Sequence, residues 1–264
     1  VKYKIFYMHN ILAKTILSNK NGMNLYRGCQ HGCIYCDSRS TCYKITSDFE
    51  DIAVKINSLD LLEKALKKKT KNVMIGTGSM SDPYIPLEKD LCYTQKALEL
   101  ILKYNHGATL ITKSDLILRD LELLKKINKK TKVVIQMTLT TADDKLCKII
   151  EPNVCPTSRR FEVLQILRDN NIPTVVWLCP LLPFINDTTE NVLSILQMCI
   201  QSQVKGIIFF GAGLTLRDGN RQYFYNALDK YFPNLSNKYK YYFGNNYYIN
   251  SFNNNEITKV FHSV

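Results

Sequence analysis

A chain of 264 residues, 45% hydrophobic and 22% charged, is sized for one large globular domain, because single α/β barrels commonly reach about 200–250 residues. It has no apolar run of about 18 or more residues and no basic, apolar and small-residue leader pattern, which argues against membrane spanning and secretion and favours a cytoplasmic location. The net charge of +12 attracts polyanions such as nucleic acid, although the lysine runs at Lys67, Lys68, Lys69 and Lys71 and at Lys125, Lys126, Lys129 and Lys130 also suit solvated helix ends.

In chain order, short apolar and β-branched runs alternate with stretches of helical period. Strands are expected at 23–28, 72–78, 108–113, 132–140, 173–182 and 205–214. Several are apolar almost throughout, as strands covered on both faces should be. Between them, Ser58 opens a helix over 59–69, Asp115 one over 116–126 and Asp187 one over 188–201, with a last helix at 220–232. The fold class expected is α/β: a partial (β/α)6 TIM-type barrel, a single domain over 1–235, with an irregular C-terminal tail over 236–264 packed on the barrel. Chemistry in such a barrel gathers at the carboxyl ends of the strands. The tail carries Tyr239, Tyr241, Tyr242, Phe243, Tyr247 and Tyr248 beside Lys238 and Lys240. These could stack nucleobases and hold phosphates, but packing of the tail on the barrel's side accounts for them at lower cost.

The chain has nine cysteines, and thiols in a reducing compartment point to metal binding or catalysis before disulfides. Cys42, Cys92, Cys147, Cys155, Cys179 and Cys199 are scattered singly and are expected to be small buried apolar groups. Cys29, Cys33 and Cys36 instead form C-x3-C-x2-C directly after the first expected strand, in a loop over 29–36 with Gly28 and Gly32 to let the chain turn tightly. Three thiolates can hold three irons of a [4Fe–4S] cubane and leave the fourth open. An open iron can be chelated by S-adenosylmethionine, whose sulfonium bond then breaks on one-electron reduction to give a 5′-deoxyadenosyl radical. The alternative is a structural zinc site completed by Cys42 or His31. It lacks the paired knuckles usual for zinc, and His31 suits a solvated loop position or a hydrogen-bond donor behind the ligands.

This loop resembles that of the radical S-adenosylmethionine superfamily, and the wider wording resembles its subgroup related to spore photoproduct lyase. The resemblance is carried, in order, by Gly-Thr-Gly-Ser-Met-Ser-Asp-Pro-Tyr at 76–84, Ile-Thr-Lys-Ser at 111–114, Met-Thr-Leu-Thr-Thr at 137–141, Glu151-Pro152 and Pro-Leu-Leu-Pro at 180–183. It implies that Cys29, Cys33 and Cys36 are both metal ligands and catalytic, that Tyr35 lies against the adenine, and that Gly78, Ser79 and Ser81 receive the methionine amino group. It further implies that Lys113 and Thr138 hold the methionine carboxylate. Glu151 and Arg160 fit either a ribose acceptor with a carboxylate clamp or an ordinary ion pair. Two positions depart from the lyases: Ser79 stands where they have a hydrogen-donating cysteine, and Asp37 where they have a tyrosine. The expected activity is therefore radical chemistry similar to that of spore photoproduct lyase without being that reaction, on DNA or RNA, with a one-electron donor such as flavodoxin or ferredoxin. Radical modification of a peptide or small molecule, and a non-enzymatic zinc-dependent nucleic-acid-binding protein, are the alternatives.

Overall fold

The computed structural model describes residues 7–45 and 47–263. β1 (Met8–Ile11) is the first strand among the described residues. The first expected barrel strand is divided into β2 (Gly22–Met23) and β3 (Tyr26–Arg27). β3 pairs antiparallel with β4 (Ile52–Lys55), whose other edge takes β1, so a small side sheet forms in the order β1-β4-β3. The division places the cysteine loop between two sheets, with Gly28 at φ 89° where a Cβ would meet the Phe49 carbonyl at 2.5 Å.

The barrel units then follow: α1 (Ser58–Lys67), β5 (Met74–Thr77), α2 (Glu88–Leu91), α3 (Tyr93–Lys103), β6 (Gly107–Thr112), α4 (Leu121–Lys130), β7 (Val133–Thr138), α5 (Asp144–Ile150), α6 (Thr157–Asp169), β8 (Thr174–Trp177), α7 (Thr189–Gln201) and β9 (Gly206–Ile208). The main sheet is six-stranded in the order β2-β5-β6-β7-β8-β9. Every pairing in it is parallel. It is the partial barrel expected from the alternation of strand and helix periods. Leu110 and Ile135 lie in register on neighbouring strands and are fully buried with Ile75, Met137 and Val176.

The helices close over this sheet with apolar residues three and four apart. Leu62 and Leu66 of α1, Leu124 and Ile127 of α4, and Val163, Leu164 and Leu167 of α6 are all buried. Each such side chain contributes about 1.5–3 kcal/mol. Of the lysine runs, the first begins at the end of α1 with Lys67, while in the second Lys129 and Lys130 sit in the last turn of α4 and Lys125 and Lys126 midway along it. The caps differ from expectation by one position. Ser114 caps a 3-10 turn over Asp115–Asp120, accepting from the Leu116 amide, and Thr188 caps α7. Asp187 instead accepts a hydrogen bond from Ser251.

The last expected strand also divides. β9 ends at Ile208, and β10 (Gly213–Thr215) leaves the main sheet. After α8 (Asn220–Tyr231), the stretch expected to be an irregular tail is ordered as α9 (Leu235–Phe243), β11 (Tyr248–Asn250) and α10 (Asn254–Ser263). β11 pairs antiparallel with β10. α10 packs on α7, with Phe261 and Phe209 ring centroids 4.8 Å apart. Of the tail's aromatic residues, Tyr239 and Phe243 are buried and join Ile249, Phe224 and Leu228 in a second core, while Tyr241, Tyr242, Tyr247 and Tyr248 stay exposed.

Candidate active site

The cysteine loop is held from behind by the end of α5. The Ile34 amide donates to the Ile150 carbonyl at 2.9 Å, and the Asn153 amide to the His31 carbonyl at 3.1 Å. Cys29 donates its amide to the Phe49 carbonyl at 3.0 Å. Burial, then Asp82 and Cys36, push the Cys29 thiol up to about 12. Cys33 is raised further by burial, with Glu151, Cys36 and Cys29 adding to it and Lys113 opposing. Cys36 thus lies near enough to both Cys29 and Cys33 to raise their proton affinity. Yet among the described residues no three His, Cys, Asp or Glu side chains converge around a point that a single ion would fill.

This donor set fits a cubane cluster, a body wider than one ion and bound by thiolates. The amide Nε2 of the buried Gln30, inside the loop, has no hydrogen-bond partner among the described residues. His31 is buried, with its Nδ1 3.4 Å from Asp82, so the solvated loop position expected for it is replaced by a packed one. Cys42 is exposed, its sulfur accepting from Arg217 at 3.3 Å.

A cavity of about 520 Å³ opens beside the loop. Tyr35, Cys36 and Asp37 form one side; Gly78, Ser79, Lys113 and Thr138, from the ends of β5, β6 and β7, form another. Gly78 has φ 103°, and a Cβ there would meet the Ile111 carbonyl at 2.1 Å. That loop therefore needs glycine to lie so close to the neighbouring strand. Asp82 fixes it in place, accepting from the Lys113 amide at 2.9 Å and the Thr112 hydroxyl at 2.8 Å. Ser81 stands outside the cavity lining. Its hydroxyl donates to the Gly28 carbonyl at 2.6 Å and ties this loop to the cysteine loop.

The polar groups that line this cavity without a hydrogen-bond partner among the described residues include the Lys113 ammonium and the hydroxyl of Thr138, itself only 5% exposed. Burial opposes the Lys113 charge, but Cys33, Glu151 and Asp82 outweigh it and raise its pKa. A cation and a hydroxyl side by side suit a carboxylate. The Lys113 Nζ also lies 5.9 Å from the centre of the Tyr35 ring.

Glu151 and Arg160 form an ion pair, each wholly buried. Glu151 also accepts from the Tyr35 hydroxyl. Arg160 donates at 3.0 Å to the carbonyls of Thr138 and Cys155. Of the two roles open from the sequence, the pair takes the structural one, bracing Tyr35 and Thr138 from behind the cavity.

The remaining wall went unread in the sequence. Trp177, Cys179 and Pro180 line it from the end of β8, Phe210 from the β9–β10 turn, Gly213 and Thr215 from β10, and Tyr248 from β11. The strands expected at 173–182 and 205–214 run past Trp177, Cys179 and Phe210, and only the earlier strand ends in the structure, at Trp177 and Ile208, bring these residues to the barrel mouth. Tyr248 had no signal, because β11 reaches the cavity only through its pairing with β10.

Known proteins resemble the chain in sequence and in fold. An uncharacterized protein of Methanocaldococcus jannaschii is 34% identical over 168 residues, 62% of this chain and 61% of that protein, so the match spans less than two thirds of that relative. An uncharacterized protein of Acidianus two-tailed virus is 27% identical over 237 residues, 85% of this chain and 77% of its own length. Among solved structures, spore photoproduct lyase complexed with dinucleoside spore photoproduct superposes with a TM-score of 0.69 at 14% identity, covering 97% of this chain and 78% of that one. A doubly substituted form of the lyase, with bound AdoMet and dinucleoside spore photoproduct, gives 0.58 at 14% identity, over 78% and 60%. The model of the Radical SAM superfamily matches residues 23–196, and the chain therefore belongs to the radical SAM superfamily of enzymes, whose cofactors are a [4Fe–4S] cluster and S-adenosylmethionine.

Proposed function

We propose that this protein cleaves S-adenosylmethionine reductively and directs the resulting radical at a nucleic acid, in a reaction related to that of spore photoproduct lyase. The observation that carries the reading is the single cavity in which the cluster loop, the unpartnered Lys113 and Thr138, and an aromatic wall meet. When bound, the cluster supplies the electron that breaks the sulfonium bond. Cys29, Cys33 and Cys36 would hold it. Lys113 and Thr138 bind and orient the methionine carboxylate, the Gly78–Ser79 backbone admits the amino group closely, and Tyr35, fixed by Glu151, supplies a flat apolar face for the adenine.

The nucleic-acid part rests on charge and on the cavity mouth. The chain carries +12. Phe210 is 67% exposed at the mouth, and Tyr248 is exposed beside it. Arg217 lies 5.6 Å and 5.2 Å from the ring centres of Tyr43 and Tyr247. Exposed aromatics beside cations suit stacked bases and phosphates. A similarly folded lyase was captured with a dinucleoside photoproduct. Membership of an enzyme superfamily sets aside the zinc-dependent binding protein.

Anaerobically purified protein should be brown, hold iron and sulfide in near equal amounts and bleach with dithionite. Retained iron and retained S-adenosylmethionine cleavage in Cys29→Ala would remove the site assignment. Turnover with dithionite and DNA, RNA or peptide then reads the substrate through 5′-deoxyadenosine formed above the substrate-free level. Indifference to every nucleic acid, with stimulation by peptide, would sink the nucleic-acid reading.

A further inference from the structure

We infer that Cys179 is a hydrogen-atom donor to carbon radicals formed in the cavity, an inference that rests on the radical chemistry proposed above. The strand geometry brings its thiol there. Along β8 and its extension, side chains alternate between faces: Val176 and Leu178 are fully buried in the core, while Trp177 and Cys179 line the cavity. Trp177 is the register partner of Thr138, so Cys179 stands just beyond the unpartnered Thr138 hydroxyl. That hydroxyl, on a residue 5% exposed, independently marks this part of the cavity as built for a ligand.

The chemistry of the lining leaves few donors. Ser79, Thr138 and Thr215 offer alcohol O–H bonds and Lys113 an ammonium N–H, all too strong to release a hydrogen atom readily to carbon. The Tyr35 phenol is committed to Glu151 and the Trp177 indole N–H to the Gln136 side chain at 2.6 Å. Cys36 belongs to the cluster set. Cys179 and the Tyr248 phenol remain, and Tyr248 is on the exposed rim. Burial pushes the Cys179 thiol up to about 11, with Lys113 opposing, so the S–H bond is intact at neutral pH.

In the step itself, the S–H bond breaks and a C–H bond forms at the radical carbon, moving one proton and one electron together. Cys179 is left as a thiyl radical. One electron from the low-potential reductant that also serves the cluster, with a solvent proton, restores the thiol.

The test uses the cluster-loaded protein, exchanged anaerobically into D2O and given S-adenosylmethionine and dithionite without further substrate. A thiol exchanges with solvent, so a radical quenched by Cys179 yields monodeuterated 5′-deoxyadenosine. The deuterated fraction, read by mass spectrometry, is independent of how much product forms. It should fall severalfold in Cys179→Ala and in the near-isosteric Cys179→Ser, and stay at the wild-type fraction in Tyr248→Phe. An undiminished fraction in both Cys179 variants, or its loss in Tyr248→Phe instead, overturns the inference while leaving the radical reading intact. Absence of 5′-deoxyadenosine in wild type overturns both. A second measurement needs no turnover: S-adenosylmethionine at about ten times its Kd should slow N-ethylmaleimide labelling of Cys179 by roughly 10-fold and leave that of exposed Cys42 unchanged. Equal labelling of Cys179 with and without the cofactor places the thiol elsewhere and overturns the assignment.

Discussion

The buried pair of Glu151 and Arg160 offers the sharpest test of how the cavity is supported. Both side chains are wholly inaccessible to solvent, so Glu151→Gln leaves a guanidinium in the core without its counter-charge. Such a loss costs about 3–5 kcal/mol, a large part of the roughly 5–15 kcal/mol that holds a domain folded. Arg160→Met should cost somewhat more, because it also strips hydrogen bonds from the carbonyls of Thr138 and Cys155, each such loss adding about 1 kcal/mol or more. In the double variant Glu151→Gln/Arg160→Met neither charge remains, and its cost should fall short of the sum of the singles by about 2–3 kcal/mol. Urea unfolding followed by far-UV circular dichroism measures all three.

The same pair fixes the sign of the pH response. Burial works to raise the Glu151 pKa, but Arg160, then Lys113 and the Tyr35 hydroxyl, outweigh it and hold it below the usual carboxylate range. A carboxyl with a depressed folded pKa contributes stability above its unfolded value of about 4.3 and loses it as pH falls toward the folded one. The deficit of Glu151→Gln relative to wild type should therefore be full at pH 7 and shrink on acidification below about pH 4.3. Single variants costing under about 1 kcal/mol, or a double variant that is simply additive within about 0.5 kcal/mol, would refute the reasoning.

Lys113→Ala should raise the Kd for S-adenosylmethionine roughly 10- to 100-fold, the worth of one charge-assisted hydrogen bond, and an unchanged value by calorimetry would exclude the carboxylate role. Thr138→Ala removes a hydroxyl with no hydrogen-bond partner among the described residues, so its stability should stay within about 0.5 kcal/mol of wild type while affinity drops by about 5- to 10-fold; the reverse pattern would mean the hydroxyl serves the fold. Gly78→Ala forces a Cβ to within 2.1 Å of the Ile111 carbonyl at a positive φ and should cost at least about 2 kcal/mol. Gly206→Ala, with nothing within 4 Å of the added Cβ, should be neutral or stabilising by about 0.5 kcal/mol. Equal thermal midpoints for these two glycine variants would contradict the close approach at Gly78.

The chain's local chemistry was legible without coordinates. Cysteine spacing named Cys29, Cys33 and Cys36 because a cluster ligand set is a sequence-local loop, and alternating periods named the six-stranded parallel sheet because each β/α unit is written contiguously. Lys113 and Thr138 were singled out only by the resemblance of the stretches at 111–114 and 137–141, and the fold sets both at strand ends, which in a barrel face its mouth. What tertiary structure alone decided is everything that depends on distant segments meeting. Glu151 and Arg160 became a brace when α5 and α6 packed behind Tyr35, and Ser81 was drawn from the cofactor side to a tie on Gly28. β11 carried Tyr248 to the cavity from a stretch that reads as an irregular tail. No local pattern encodes these, since pairing of β10 with β11 and burial of the ion pair gain their free energy only once the barrel has formed around them.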